Sequence, residues 1–385
     1  MNANSLQQSS QEHNHQAQPK TWEQLETPCI IIDAAKMNAN IRTMADIAAK
    51  NGVSLRPHAK THKLPSVAKL QLEAGAVGIT VAKVSEAEVM AAGGIGNIFI
   101  AYPLVATSKI ERAITLSQQI DLILAVDSLE GAQRLSAAAK ARNHTLNVRL
   151  EIDTGLRRTG VLFENAVQLA KQIHDMEHLQ LSGIYTFRGA LQNGKATLDR
   201  RSAGHEEGEL MVRLADQMRG EGVPIVDVSV GSTPTGAYAA EVKGVTEIRP
   251  GTYVYQDRMQ ARLEVCGIDE CAGYVLATVV SRPSETLAII DGGSKTFATD
   301  VQPNAEPLLL QGFGHFIEAP DAVLERMSEE HGMVRLTAAH DWKPGDRVRV
   351  IPNHICSTVN LHNKVYFADG DRFGETPVLA RGMLE

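Results

Sequence analysis

Residues 121–153 read DLILAVDSLEGAQRLSAAAKARNHTLNVRLEID. One apolar run, DLILAVDS (121–128), leads into a stretch of helical character, SLEGAQRLSAAAKA, and a second run follows, LNVRLEID (146–153). Runs that are apolar at nearly every position suit strands covered on both faces, the setting of a parallel sheet. The stretch therefore reads as strand, helix, strand.

The same alternation extends both ways. Upstream lie VSLRPH (53–58), GITVAKV (78–84) and NIFIAYP (97–103); downstream lie LSGIYTF (181–187), IVDVSVG (225–231) and TEIRPGTYVY (246–255). Helical segments such as LPSVAKLQLEAG, SEAEVMAAGG and AGHEEGELMVRLADQMRGEG separate them. A doubly wound open sheet would also alternate, but eight repeats favour closure into a (β/α)8 TIM barrel.

Beyond about residue 260 the pattern changes. YVLATVVSR, TLAIIDGGS, MVRLTAAH, RVRVIPNH, KVYFADG and PVLARG read as strands between turns, and DAVLERMSEE is the one helical pattern among them. The expected organisation is a barrel over 25–260 and a C-terminal β domain over 261–385. The strand TPCIIID (27–33) is expected to pair with the β domain. Residues 1–24 begin with a polar, Gln/Asn/Ser-rich run and read as a disordered tail without the apolar stretch of a signal peptide. His13 and His15 in that tail read as solvated.

Bulk properties exclude several classes. A net charge of −7 argues against a general nucleic-acid binder, and 4% aromatic residues argue against base-stacking platforms. No apolar run reaches the roughly 20 residues of a membrane span. Cys29, Cys266, Cys271 and Cys356 form no disulfide framework, which suits a reducing, cytoplasmic setting.

Working residues of a parallel barrel lie on the loops after its strands. Just past the first strand, LRPHAKTHKL (55–64) gathers Arg56, His58, Lys60, His62 and Lys63 with no acid among them. A solvated basic loop and an anchor for an anionic cofactor both fit this stretch by itself. After strands seven and eight come SVGSTPTG (229–236) and the PGT turn (250–252), whose backbone N–H groups and hydroxyls could cradle a phosphate or form ordinary turns. A lysine among cations has a depressed pKa and can form a Schiff base. Pyridoxal phosphate combines an aldehyde for Lys60 with a phosphate for the Gly/Ser/Thr loop. In PNHICSTVNLHN (352–363), His354 and Cys356 stand two apart, so on a strand they would share a face and could bind a zinc-like metal. His362 is a third, weaker candidate, and packing is the plain alternative for all three.

Taken together, RPHAKTHK, DTGLRRTG, the GSTPT loop, EIRPGTYVYQD, IIDGGSKTFATD (289–300), SEEHG (328–332) and PNHICSTVN resemble the D-threonine aldolase/D-serine dehydratase family. These are fold-type III pyridoxal-phosphate enzymes, distantly similar to alanine racemase. The resemblance runs from about residue 25 to the C-terminus. It implies that Lys60 holds the cofactor covalently, with His58 and Arg56 shaping the site. It places Arg158 near the pyridoxal O3′ and Tyr185 along the cofactor. It implies a phosphate held by Gly231, Ser232, Thr233, Gly251 and Thr252, with Tyr253 beside them, and Arg249 at the pyridine nitrogen. His354 and Cys356 would bind a divalent metal, zinc above manganese or magnesium.

The His-x-Cys pattern and the GSTPT loop resemble the dehydratase side, implying conversion of a D-3-hydroxy amino acid, such as D-serine or D-threo-3-hydroxyaspartate, to a 2-oxo acid and ammonia. D-threonine aldolase is the alternative, then a racemase or a non-catalytic carrier. Arg188 and Gln192 could read a second substrate carboxylate or lie on the surface. The resemblance also implies a homodimer acting on a small substrate, without nucleic acid or membrane.

Overall fold

The computed structural model describes residues 19–337 and 340–385. The stretch 121–153 forms two strands, Asp121–Val126 and Leu146–Asp153, joined by the helix Leu129–Ala141. Every residue of the first strand after Asp121 is buried. The helix begins where Ser128 Oγ accepts the Gly131 N–H at 3.2 Å, satisfying one of the open donors of its first turn. Its buried Ala132, Leu135 and Ala139 recur at helical spacing and belong to the barrel's core.

Six further strands join these two: Ser54–Leu55, Ile79–Val81, Asn97–Pro103, Leu179–Tyr185, Asp227–Val230 and Glu247–Ile248. All neighbours pair in parallel, and the last pairs with the first. A parallel bridge between His58 and Thr80 then links the first strand to the second, with Val77 N–H donating to Leu55 O at 2.9 Å and Thr80 N–H to Pro57 O at 2.8 Å. The eight strands close on themselves, which is the expected TIM barrel.

The C-terminal half is a second, mostly antiparallel sheet. The strand Cys29–Asp33 lies inside it, antiparallel to Gly273–Ser284 and parallel to Lys364–Asp369. Its four consecutive buried residues, Cys29 to Ile32, suit a central strand covered on both faces.

Two expectations need correction. DAVLERMSEE does not form a helix: Val323–Met327 is a strand paired with Gly332–Arg335 through a short turn. Its apolar residues fit either period, and pairing with the neighbouring strand decides. The tail also ends earlier than residue 24. Lys20 bridges Phe373, Trp22–Gln24 forms a 3-10 turn, and the Trp22 and Phe373 rings lie 5.9 Å apart, so apolar contact anchors this segment. His13 and His15 fall outside the described residues. Among the described residues no helix is long and apolar enough to cross a membrane.

Candidate active site

The basic stretch resolves into groups with separate fates. Arg56 Nε donates to Glu247 Oε2 at 2.7 Å, and its Nη1 bonds Asn97. Lys63 lies 3.6 Å from Glu86 and donates to Ala380 O at 3.3 Å. His62 is fully buried, accepts the Leu64 N–H at Nδ1, and burial pushes it down to about 3, so it carries no charge. His58 is also held neutral, first by burial and then by Lys60. Among the described residues, Lys60 alone of these three long cationic side chains has no carboxylate partner.

Lys60 sits on the 3-10 turn Ala59–Thr61, immediately beyond the first barrel strand. His58 Nδ1 accepts the Lys60 N–H at 3.3 Å and so caps the turn. Burial lowers the Lys60 pKa, Arg158 and Arg249 reinforce the shift, and a charged Cys356 works against it. A lysine so placed holds a larger neutral, nucleophilic fraction at neutral pH.

Lys60 opens into a cavity of about 320 Å³ lined by side chains from both halves of the chain. Such a volume falls at the low end of small-molecule sites. His58, Ser232, Thr233, Arg249, Gly251, Thr252, His354 and Cys356 share this lining with Lys60. The Gly/Ser/Thr loop after the seventh strand turns at Gly231, whose φ of +82° favours glycine and where a Cβ would lie 2.9 Å from Gly236 Cα. Thr233 Oγ1 accepts the Tyr253 N–H at 3.1 Å and ties this loop to the one after the eighth strand. Among the described residues no acceptor meets the backbone N–H of Thr233, Gly251 or Thr252. Three open N–H donors beside two hydroxyls and a lysine fit the phosphate and aldehyde of pyridoxal phosphate.

Other residues named from the sequence are held by contacts at the edge of the cavity or outside it. Arg249 Nε donates to Ser229 Oγ at 2.8 Å, Nη2 bonds Thr186 O, and the guanidinium lies 5.0 Å from the Tyr185 ring centre. Tyr185 is buried against Phe99 in an edge-on pair, beneath Arg249. Tyr253 is buried with its hydroxyl accepting from Gln71 at 2.9 Å. Arg158 is exposed and stacks 5.0 Å from the Phe187 ring centre, on the same ring that Lys60 Nζ approaches at 5.4 Å. Arg188 is 2% exposed and donates to Glu206 at 2.5 Å, so it is neither a surface residue nor part of the cavity lining.

His354 and Cys356 do not share a strand. His354 immediately precedes the helix Ile355–Leu361 without capping it by a side-chain hydrogen bond, and Cys356 lies in its first turn. A strand-to-helix turn, rather than two-residue alternation, brings both to the cavity. His354 Nδ1 pairs with Asp300 Oδ2 at 2.6 Å, leaving Nε2 for another partner. Cys356 Sγ contacts Thr61 Oγ1 at 3.0 Å and Thr252 Oγ1 at 3.4 Å. Burial opposes charge on both groups, yet their mutual attraction raises His354 and lowers Cys356, with Asp300 supporting the imidazolium. One imidazole nitrogen, one thiolate-prone sulfur and an orienting carboxylate suit a borderline divalent metal. Among the described residues no group of three or more His, Cys, Asp or Glu donors is set to hold a metal, so the pair leaves coordination positions open. His362 bonds Thr296 O at 3.1 Å and does not line the cavity.

Asp300 and Thr61 carried no role in the sequence reading, although both stand in motifs that drew attention. Their partners lie 54 and 295 positions away, a separation that no local pattern reveals.

Comparison with known proteins agrees with this architecture. Residues 32–259 match the family described as alanine racemase, N-terminal domain, and residues 272–368 match a serine dehydratase domain. D-threo-3-hydroxyaspartate dehydratase of Delftia sp. (strain HT23) is 33% identical over 351 residues, spanning 87% of this chain and 92% of that protein. D-threonine aldolase of Arthrobacter sp is 30% identical over 343 residues, spanning 88% of each. The structure of a cysteine-to-alanine variant of D-threo-3-hydroxyaspartate dehydratase, in its metal-free form, superposes with a TM-score of 0.85 at 31% identity, covering 93% of this chain and 99% of that one. With more than half its length matched, the chain belongs to the family of the alanine racemase N-terminal domain.

Proposed function

We propose that this protein is a lyase of D-3-hydroxy amino acids that uses pyridoxal phosphate and a divalent metal, zinc first, and that it acts as a dehydratase. The observation that carries this reading is the junction of two motifs: Thr61, next to Lys60, touches Cys356 at 3.0 Å, so the lysine and the metal pair open into one cavity. A racemase or carrier has no use for that pair at the lysine.

Lys60 would hold the cofactor, and Ser232, Thr233, Gly251 and Thr252 would hold its phosphate. When bound, the cofactor supplies the electron sink that makes a substrate's Cα proton removable. Lys60 Nζ, held toward its neutral form by burial, is the acceptor for that proton. Arg249 would meet the cofactor's ring nitrogen as a donor that keeps its own proton. His354 Nε2 and Cys356 Sγ would hold the metal, which supplies Lewis acidity to a departing β-hydroxyl. The products are a 2-oxo acid and ammonia.

The rest of the lining is mostly apolar, with Phe187, Ala190, Met259, Leu263, Pro307 and Leu308 beside the polar Thr197 and Gln260. Arg188, the cation that could have met a second carboxylate, gives Nη2 to Glu206 and does not line the cavity. The reading therefore favours D-serine or D-threonine over a dicarboxylic substrate. Similarity to an aldolase supports a second reading, retro-aldol cleavage to glycine and an aldehyde. A homodimer in the cytoplasm completes the proposal, with the four free cysteines supporting a reducing compartment.

The test is turnover of D-serine, D-threonine and D-threo-3-hydroxyaspartate with and without EDTA, following both product pairs. Oxo acid and ammonia, lost with EDTA, is the expected result. Glycine and aldehyde would move the protein to the aldolase side. No turnover of any of the three would overturn the lyase reading.

A further inference from the structure

Beneath the Gly/Ser/Thr loop lies a buried carboxylate that the reaction does not use. The helix Arg200–Gly220 carries Gly204 and Gly208 on the face that meets the short helix Gly236–Ala239. A Cβ at Gly204 would stand 2.7 Å from Thr235 O and 2.8 Å from Tyr238 Cβ. This close approach brings Glu207, fully buried, under the loop. Thr235 Oγ1 lies 3.2 Å from Glu207 Oε2 and 2.8 Å from Ser232 Oγ, and it accepts the Ser232 N–H at 3.1 Å. Ser232 lines the cavity. Among the described residues no donor meets Glu207 Oε1 in full hydrogen-bond geometry, although the Gly231 N–H faces the carboxylate.

Counting hydrogens along this chain gives a polarity. Without a ligand, the two hydroxyl hydrogens fill the two contacts: Ser232 donates to Thr235, and Thr235 donates to an ionised Glu207. Ser232 then turns only lone pairs toward the cavity, which repel a phosphate. A phosphate oxygen accepting from Ser232 adds a third contact, while the hydroxyls still supply two hydrogens. The third must come from Glu207 as a carboxylic acid, donating to Thr235, which donates to Ser232, which donates to the phosphate.

We propose that Glu207 is a positioning residue that takes up a proton when the cofactor's phosphate binds, and that the Glu207–Thr235–Ser232 chain reverses so that Ser232 becomes a phosphate donor. This rests on the cofactor reading above. Burial pushes Glu207 up to about 7, near neutrality, where such uptake costs little. The groups facing it are Arg249 from the loop after the eighth strand, Arg188 from the loop after the sixth, the Gly231 N–H and Thr235, all of which favour the ionised form. Glu206, on the same helix, is paired with Arg188. A bound dianion adds the opposing charge that favours the acid.

The test compares pyridoxal phosphate with pyridoxal, which lacks the phosphate, on the full-length protein freed of cofactor, from about pH 6 to about pH 9. The ratio of their dissociation constants isolates the phosphate from titration of Lys60. The expected result is a phosphate advantage that falls by up to about tenfold per pH unit as Glu207 ionises. In Glu207→Gln, whose amide donates to Thr235 at every pH, that fall should vanish, leaving only the titration of the phosphate itself. Thr235→Val, which breaks the chain while Glu207 stays, should also abolish it and guards against misfolding of the first variant. A wild-type advantage with the same pH dependence as both variants would overturn the relay. Equal binding of pyridoxal and pyridoxal phosphate at every pH would overturn the cofactor reading instead.

Discussion

Asp300 Oδ2 lies 2.6 Å from His354 Nδ1 and also accepts from Ser357 Oγ at 2.8 Å, so a single carboxylate sets the tautomer and orientation of the imidazole. Histidines that bind metals are commonly oriented in this way, and loss of the orienting group typically weakens metal binding 10–100-fold. Asp300→Asn should lower the affinity for a divalent metal, with zinc as the probe, by about that factor. Equilibrium dialysis reads it directly, and unchanged affinity would show that His354 is not a ligand.

Among the described residues Lys60 is the cavity lysine without an acid partner, and burial lowers its pKa, which favours it as the anchor in the proposed reaction. Borohydride treatment of the protein loaded with pyridoxal phosphate should label the peptide containing Lys60. In Lys60→Ala the label should be lost, and turnover should fall by about three orders of magnitude or more. A label on another lysine would displace Lys60 from its role.

Glu247 links Arg56 and Arg149 inside the barrel, with Arg149 Nη1 at 2.5 Å. Burial alone would raise its pKa, but the two guanidinium groups bring it from 4.5 down to about 2. A depressed folded-state value contributes stability that is present above the unfolded value and is lost as pH falls through the folded one. The contribution is therefore full above about pH 5 and fades toward pH 2. Glu247→Gln leaves Arg56 buried without a counter-charge and Arg149 with Asp227 alone, and should cost about 3–5 kcal/mol at neutral pH, with a flatter acid limb. Urea unfolding at several pH values measures both effects.

Gly204 is packed too closely against Thr235 and Tyr238 for a methyl group. Gly204→Ala gains in helix propensity, but the helix must shift away from the phosphate loop, for a net loss of about 1–3 kcal/mol. Pyridoxal phosphate affinity should fall with it while pyridoxal affinity changes less. A more stable variant with intact cofactor binding would contradict the close fit.

The barrel was legible in the chain alone. Residues 121–153 are apolar where a doubly covered strand needs them and polar once per turn where a surface helix does, and local period carries that information without reference to distant residues. It also drew attention to the lysine loop, because five cationic or titratable groups without an acid are visible in a ten-residue window. What those groups do depends on partners that folding brings to them. Arg56 finds Glu247 across 191 positions, and Lys63 finds Glu86, so among the described residues Lys60 is left unpaired by contacts no ten-residue window contains. The same holds for Val323–Met327, a strand by virtue of its partner, and for Arg188, drawn to Glu206. It holds most for Glu207, whose place beneath Ser232 depends on two glycines that let two helices touch. Periodicity is written locally in the chain, whereas charge pairing and close packing arise from neighbours that folding alone brings together.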